Sequence, residues 1–194
     1  MAGVTEQAVG SDGWPDSDPK PPPPDIELPA ELLWPKNIRP SAIPLTIVCG
    51  PPAAGKSWFV AQQRSPDDEV IDLDDIVQEI GGDARTVDRA IRKRALRERN
   101  DRLRELAVYA GNAAHAWFIT TAASASARRQ WARLLKPQRV LVMLTPIEEC
   151  LRRVRGDIYR ARVAEDQTRI IEAWWGIYSP WDGDTAVRTQ AQKP

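Results

Sequence analysis

The stretch "GPPAAGKS", residues 50–57, spaces Gly50, Gly55, Lys56 and Ser57 as G-x-x-x-x-G-K-[ST]. Those residue types at that spacing suit one task, gripping phosphate. A Gly-rich turn aims several backbone N–H groups at one point and hands the chain to a helix whose N-terminus favours an anion. Lys56 adds positive charge where the β- and γ-phosphates of a nucleotide lie, and the Ser57 hydroxyl is a ligand for Mg²⁺. The candidate cofactor-binding residues are Gly50, Pro51, Pro52, Ala53, Ala54, Gly55, Lys56, Ser57 and Trp58, with ATP and Mg²⁺ as the candidate cofactors. A glycine turn without a ligand is the plain alternative. The apolar run before the loop and the helical segment after it argue against that alternative.

Two further groups carry charge. Asp72, Asp74 and Asp75 in "VIDLDDI" close the next apolar run. Sites of parallel sheets lie at the carboxyl ends of strands, so these carboxylates are expected beside the phosphate loop, to orient an attacking hydroxyl or hold Mg²⁺ through water. Asp75, and with it Asp72, has a second reading as the cap of a helix starting near Ile76. Residues 128–162 hold ten basic side chains against three acidic ones. Phosphoryl transfer needs cations over the γ-phosphate as charge shifts, and this cluster suits an anion. Arg133 and Arg152 read singly as solvated helix face.

The elements that must position these groups alternate. "IPLTIVC" before the loop is a β-branched-rich run with the character of a buried strand, and "EVIDLDD" at 69–75 is a second. The segment from Gly81 to Asn112 reads as one long helix capped by Asp83, with Val87, Ile91, Leu96, Leu103 and Leu106 as its stripe. "AWFITT" at 116–121 is a third strand, "SARRQWARLLK" a helix, and "RVLVMLT" at 139–145 a fourth strand. "IEECLRRVR" and "EDQTRIIEAWWGIY" are helical. Such alternation implies parallel strands with helical crossovers, an α/β layer fold.

Composition sets the limits. The chain of 194 residues has room for one core, and 27 basic residues balance 27 acidic ones, so no global field points to nucleic acid or a membrane. No apolar run has the length of a membrane span and the N-terminus has no export signal, which predicts a cytoplasmic protein. Cys49 and Cys150 read as reduced, buried thiols. Nine of the 17 prolines fall in the first 40 residues, so 1–41 reads as a Pro-rich, disordered, flexible arm, with Trp34 able to dock on its own domain or a protein partner. Residues 42–183 read as the domain and 184–194 as a C-terminal tail.

Three blocks, "GPPAAGKS", "VIDLDDI" and "TPIEECLRRVRGD", resemble P-loop kinases of the polynucleotide kinase and zeta-toxin type over about residues 45–162. The resemblance implies a P-loop NTPase three-layer fold with a small parallel sheet and a helical lid. It implies that Asp74 accepts the proton of an acceptor hydroxyl. It matches Arg153 to the arginine leading into the lid, with Arg155, Arg160 and Arg162 as candidates within or after it. Many relatives end the third strand in an Asp that positions Mg²⁺; here Thr120 and Thr121 stand there, and Asp72 is assigned the metal role instead. Arg128 and Arg129 match a helix whose basic residues meet the acceptor. The candidate catalytic set is thus Lys56, Asp74, Arg153 and Arg155, and the candidate metal set Ser57 and Asp72.

Other features have blander readings. His115, the sole histidine, reads as packed rather than catalytic, and Trp174, Trp175, Tyr178 and Trp181 as core or interface rather than a base-stacking platform. The sequence predicts an ATP-dependent kinase for a hydroxyl acceptor, with a nucleic-acid 5′ end, a nucleotide or a small alcohol all open. The rival is a nucleotide-gated binding module or ATPase within a larger assembly.

Overall fold

The computed structural model describes residues 4–8, 30–83, 88–156 and 164–189. Its strands are β1 (Val4–Ala8), β2 (Leu45–Cys49), β3 (Glu69–Ile71), β4 (Ala116–Thr120), β5 (Arg139–Met143) and β6 (Asp184–Thr189). The helices are α1 (Ala30–Leu33), α2 (Lys56–Gln63), α3 (Leu73–Glu79), α4 (Arg89–Glu105), α5 (Ala125–Leu135), α6 (Ile147–Gly156) and α7 (Ala164–Ile177). One sheet has the order β1-β6-β5-β2-β4-β3. Five of its strands, β6, β5, β2, β4 and β3, run parallel, and β1 pairs antiparallel with β6 at the edge.

Central β2 is buried along its whole length, as a Leu-Thr-Ile-Val-Cys run between two helical layers must be. Alternate strand residues face the two layers. On one side Leu45, Ile47, Cys49, Phe118, Val140 and Val142 pack under α3, α4 and α5. On the other, Val48, Ile119, Leu141 and Met143 pack under Phe59 and Val60 of α2, Val154 of α6 and Ile171 of α7. The expected three-layer α/β fold is what the chain adopts. No helix of the described residues is long and apolar enough to cross a membrane.

Several boundaries differ from the sequence reading. The strand expected over 69–75 ends at Ile71, because the Asp72 carboxylate accepts the Asp74 backbone N–H and starts α3 at Leu73. The cap of α3 is therefore Asp72 and not Asp75. The long helix begins at Arg89, capped by Asp88, whose Oδ1 accepts the N–H groups of Ala90 and Ile91. Val87 lies outside the described residues. Residues 184–189, expected as tail, form β6. Asp184 anchors that strand by pairing with Arg128, and Ala186 and Val187 are buried.

Two described segments of the expected arm carry structure, β1 and α1. After α1, Trp34 packs on Trp131 of α5 at 5.3 Å between ring centroids. Arg99 and Asn100 of α4 donate to the Leu32 carbonyl at 2.8 and 3.1 Å. The part of the arm with the proline run lies outside the described residues.

Candidate active site

The carboxyl ends of the parallel strands gather the predicted groups. In register, Cys49 stands beside Thr120 on one side and Val142 on the other, while Ile71 stands beside Phe118. Gly50, Asp72 and Thr120–Thr121 therefore leave one edge of the sheet together. The loop has the backbone its sequence demands. Gly50 and Gly55 have φ of 154° and 91°, and a Cβ on Gly50 would come within 3.0 Å of the Met143 carbonyl oxygen. Ala53 sits in the left-handed region at φ 58° despite its Cβ, at a cost of about 1–2 kcal/mol.

Within the loop, Lys56 Nζ donates to the Gly50 and Pro51 carbonyls at 3.0 and 2.8 Å. Burial lowers its pKa below the ordinary 10.5, against the opposing pull of Asp72 and Asp74. Both carboxylates thus lie within electrostatic reach of the lysine. Ser57 Oγ donates to Asp72 Oδ2 at 2.7 Å, so the two candidate metal-side residues meet. One hydroxyl and one carboxylate thus converge beside the loop, hard oxygen donors of the kind that fit Mg²⁺. Asp74 and Asp75 are exposed in the first turn of α3. The Asp75 carboxyl is pushed up by partial burial, then by Asp72, Asp74 and Glu79.

A consequence follows for pH. Only the ammonium form of Lys56 attracts phosphate, and its proton leaves earlier than that of a free lysine as pH rises. The dissociation constant for a nucleotide phosphate in this loop is expected to climb from a point on the acid side of 10.5. Lys56→Arg is expected to lose that break, as calorimetric titrations across alkaline pH would show.

The basic residues separate into different roles. Arg153 Nη1 donates to the Ala53 and Ala54 carbonyls at 3.1 and 3.0 Å, and its Nε donates to Glu149 Oε1 at 2.8 Å. Arg155 is exposed in the last turn of α6. Arg160 and Arg162 lie outside the described residues. Arg129 is exposed on α5. Arg128, matched to the acceptor by resemblance, is fully buried: its Nε and Nη2 bind both Asp184 oxygens at 2.8 and 2.6 Å. It also donates to the carbonyls of Ala122, Ala123 and Ser179, which leaves it a structural tie between α5, the segment after α7, and β6.

The aromatic cluster is packed on itself. Trp174 Nε1 donates to the Thr121 carbonyl at 2.7 Å, Tyr178 stacks on Trp174 at 5.1 Å, and Arg128 lies over the Tyr178 ring at 5.3 Å. His115 Nε2 meets Thr46 Oγ1 at 2.9 Å, near the amino ends of β2 and β4 and away from the loop. Cys49 and Cys150 are free and buried, and burial pushes their thiols up to about 12 and about 11. Trp58, just after Ser57, is 60% exposed.

Thr145 was not singled out in the sequence. It is the last residue of the strand predicted over 139–145 and lies just past the observed β5, and its hydroxyl donates to the Ala54 carbonyl at 2.9 Å. The rule that sites form where parallel strands end was the signal available for it.

No curated protein sequence matches this chain at a significant level. Two solved structures that resemble it are the Thermus thermophilus protein TT1252 and a shikimate kinase from Acinetobacter baumannii in complex with shikimate. The first has 18% identity, covers 77% of this chain and 90% of its own, and has a TM-score of 0.46. The second has 16% identity, covers 79% and 87%, and has a TM-score of 0.41. The model of the family described as AAA domain matches residues 45–175, from the first residue of β2 to Trp175 in α7. That span is more than half of the chain and takes in the phosphate loop and the strand ends around it, so the chain belongs to the AAA-domain family.

Proposed function

We propose that the protein is a kinase that moves the γ-phosphoryl of ATP to a hydroxyl acceptor. The observation that carries this reading is the hydrogen bond from Ser57 to Asp72, with Asp74 two residues further on at the same strand end. The loop N–H groups and Lys56 hold the phosphates. Ser57 and Asp72 would hold Mg²⁺, which would supply neutralising charge for the phosphate oxygens. Asp74 takes the proton of the acceptor hydroxyl as its oxygen bonds to the γ-phosphorus and the bond to ADP breaks. Arg155 is the candidate among the described residues for the positive charge that steadies the transferred group.

The test is transfer of labelled γ-phosphate from Mg-ATP to a panel of 5′-hydroxyl oligonucleotides, nucleosides and small alcohols. Label is expected on one acceptor class, and Lys56→Ala is expected to abolish its appearance. Thr120 and Thr121 at the end of β4, where a second carboxylate would strengthen the metal site, favour the rival reading of an ATPase or nucleotide-gated module. Label appearing only as inorganic phosphate with every acceptor would establish that rival.

A further inference from the structure

The outer wall of the phosphate loop is held by side chains from a different part of the chain. The Ala54 carbonyl accepts from Thr145 Oγ1 at 2.9 Å and from Arg153 Nη1 at 3.0 Å. The Ala53 carbonyl accepts from the same Nη1 at 3.1 Å. A Cβ built on Gly55 would come within 3.1 Å of that nitrogen, so the guanidinium lies close against the back of the loop. Glu149 holds its other edge, one turn earlier on α6.

This arrangement has a geometric consequence. The peptide group is planar and trans, so its C=O and N–H point in opposite directions. Two donors holding the Ala54 carbonyl outward direct the Gly55 N–H inward, to the place where a nucleotide phosphate is gripped. The same bonds over-determine Ala53, whose left-handed backbone persists only under such restraint. A guanidinium engaged with two carbonyls and a carboxylate is committed to the loop.

We propose that Arg153, with Thr145 and Glu149, is a positioning clamp that keeps the phosphate loop in its anion-receiving form. The clamp acts on the loop and not on the transferred group, so it serves a nucleoside diphosphate as well as a triphosphate. The proposal rests on the reading of the loop as a nucleotide site.

Calorimetric binding of Mg-ADP and Mg-ATP to the full chain separates the two roles. Arg153→Ala and Thr145→Val are each expected to weaken both nucleotides by the same factor, about tenfold for loss of a charged or buried hydrogen bond. The double variant is expected to lose less than the product of the single losses, because both donors act on one carbonyl. Arg153→Lys and Thr145→Ser are expected to recover part of the affinity by restoring a donor. If Arg153→Ala destabilises the fold, Arg153→Lys and Thr145→Val carry the comparison. Loss of ATP affinity with ADP affinity intact would overturn the clamp and make Arg153 a γ-phosphate ligand, leaving the nucleotide site standing. A parent chain that binds neither nucleotide would bring down the proposed function, and the clamp with it.

Discussion

Asp74→Asn is expected to bind Mg-ATP as the parent does and to transfer phosphate about 10²–10⁴-fold more slowly, the usual contribution of a positioned general base. The asparagine keeps the size of the side chain, and the backbone N–H that bonds to Asp72 is untouched. What disappears is the carboxylate that would take the acceptor proton. The same change removes one of the two acids that oppose the lowering of the Lys56 pKa, so the alkaline break in nucleotide affinity should move to still lower pH. Single-turnover rates and calorimetry report the two effects separately. A variant that transfers at the parent rate would exclude Asp74 from the chemistry.

Arg128→Ala should produce the largest loss of stability. Both side chains of the Arg128–Asp184 pair are fully buried, and the pair is bidentate. Removing one partner leaves a buried, uncompensated charge, at a cost of about 3–5 kcal/mol. For a chain of this size that corresponds to a fall in Tm of roughly ten degrees. Replacing both together, Arg128→Met with Asp184→Leu, is expected to cost less than either charge removal alone, because no orphan ion remains. Thermal unfolding of Arg128→Ala, Asp184→Ala and the double variant decides this. A double variant as unstable as Arg128→Ala would mean that the carbonyl bonds to Ala122, Ala123 and Ser179 matter more than the ion pair.

The parts of the fold legible in the sequence were those written in local pattern. The buried strand before the loop, the loop itself and the strands at 116 and 139 announce themselves by β-branched, apolar runs and by glycine spacing. Caps were harder, because Asp72, Asp74 and Asp75 all suit a helix start and only the backbone decides which one accepts an N–H. β6 was missed because "DTAVRT" is short and half polar, and its partner Arg128 lies 56 residues earlier. Arg128 and Arg99 show the same limit: arginine reads as surface or ligand-facing, and only tertiary structure reveals that each is buried against carbonyls. The loop clamp was illegible too. Arg153 was recognised as important, but which way it points depends on how α6 lies against the loop.

The sheet edge carries a consequence for how the chain is made. Among the described residues β1 has only β6 as a neighbour, with Val4 opposite Thr189. β1 must therefore wait for β6, which is synthesised well after it. Closing so long an intervening chain costs little more than closing a moderate one, since the entropy grows only with the logarithm of length. The delay comes from the order of synthesis: the segment from β2 to β5 can assemble while β1 still has no partner. A nascent chain stalled before Asp184 would lack two strands of its sheet, one from each end of the sequence, and would leave β5 as a bare edge.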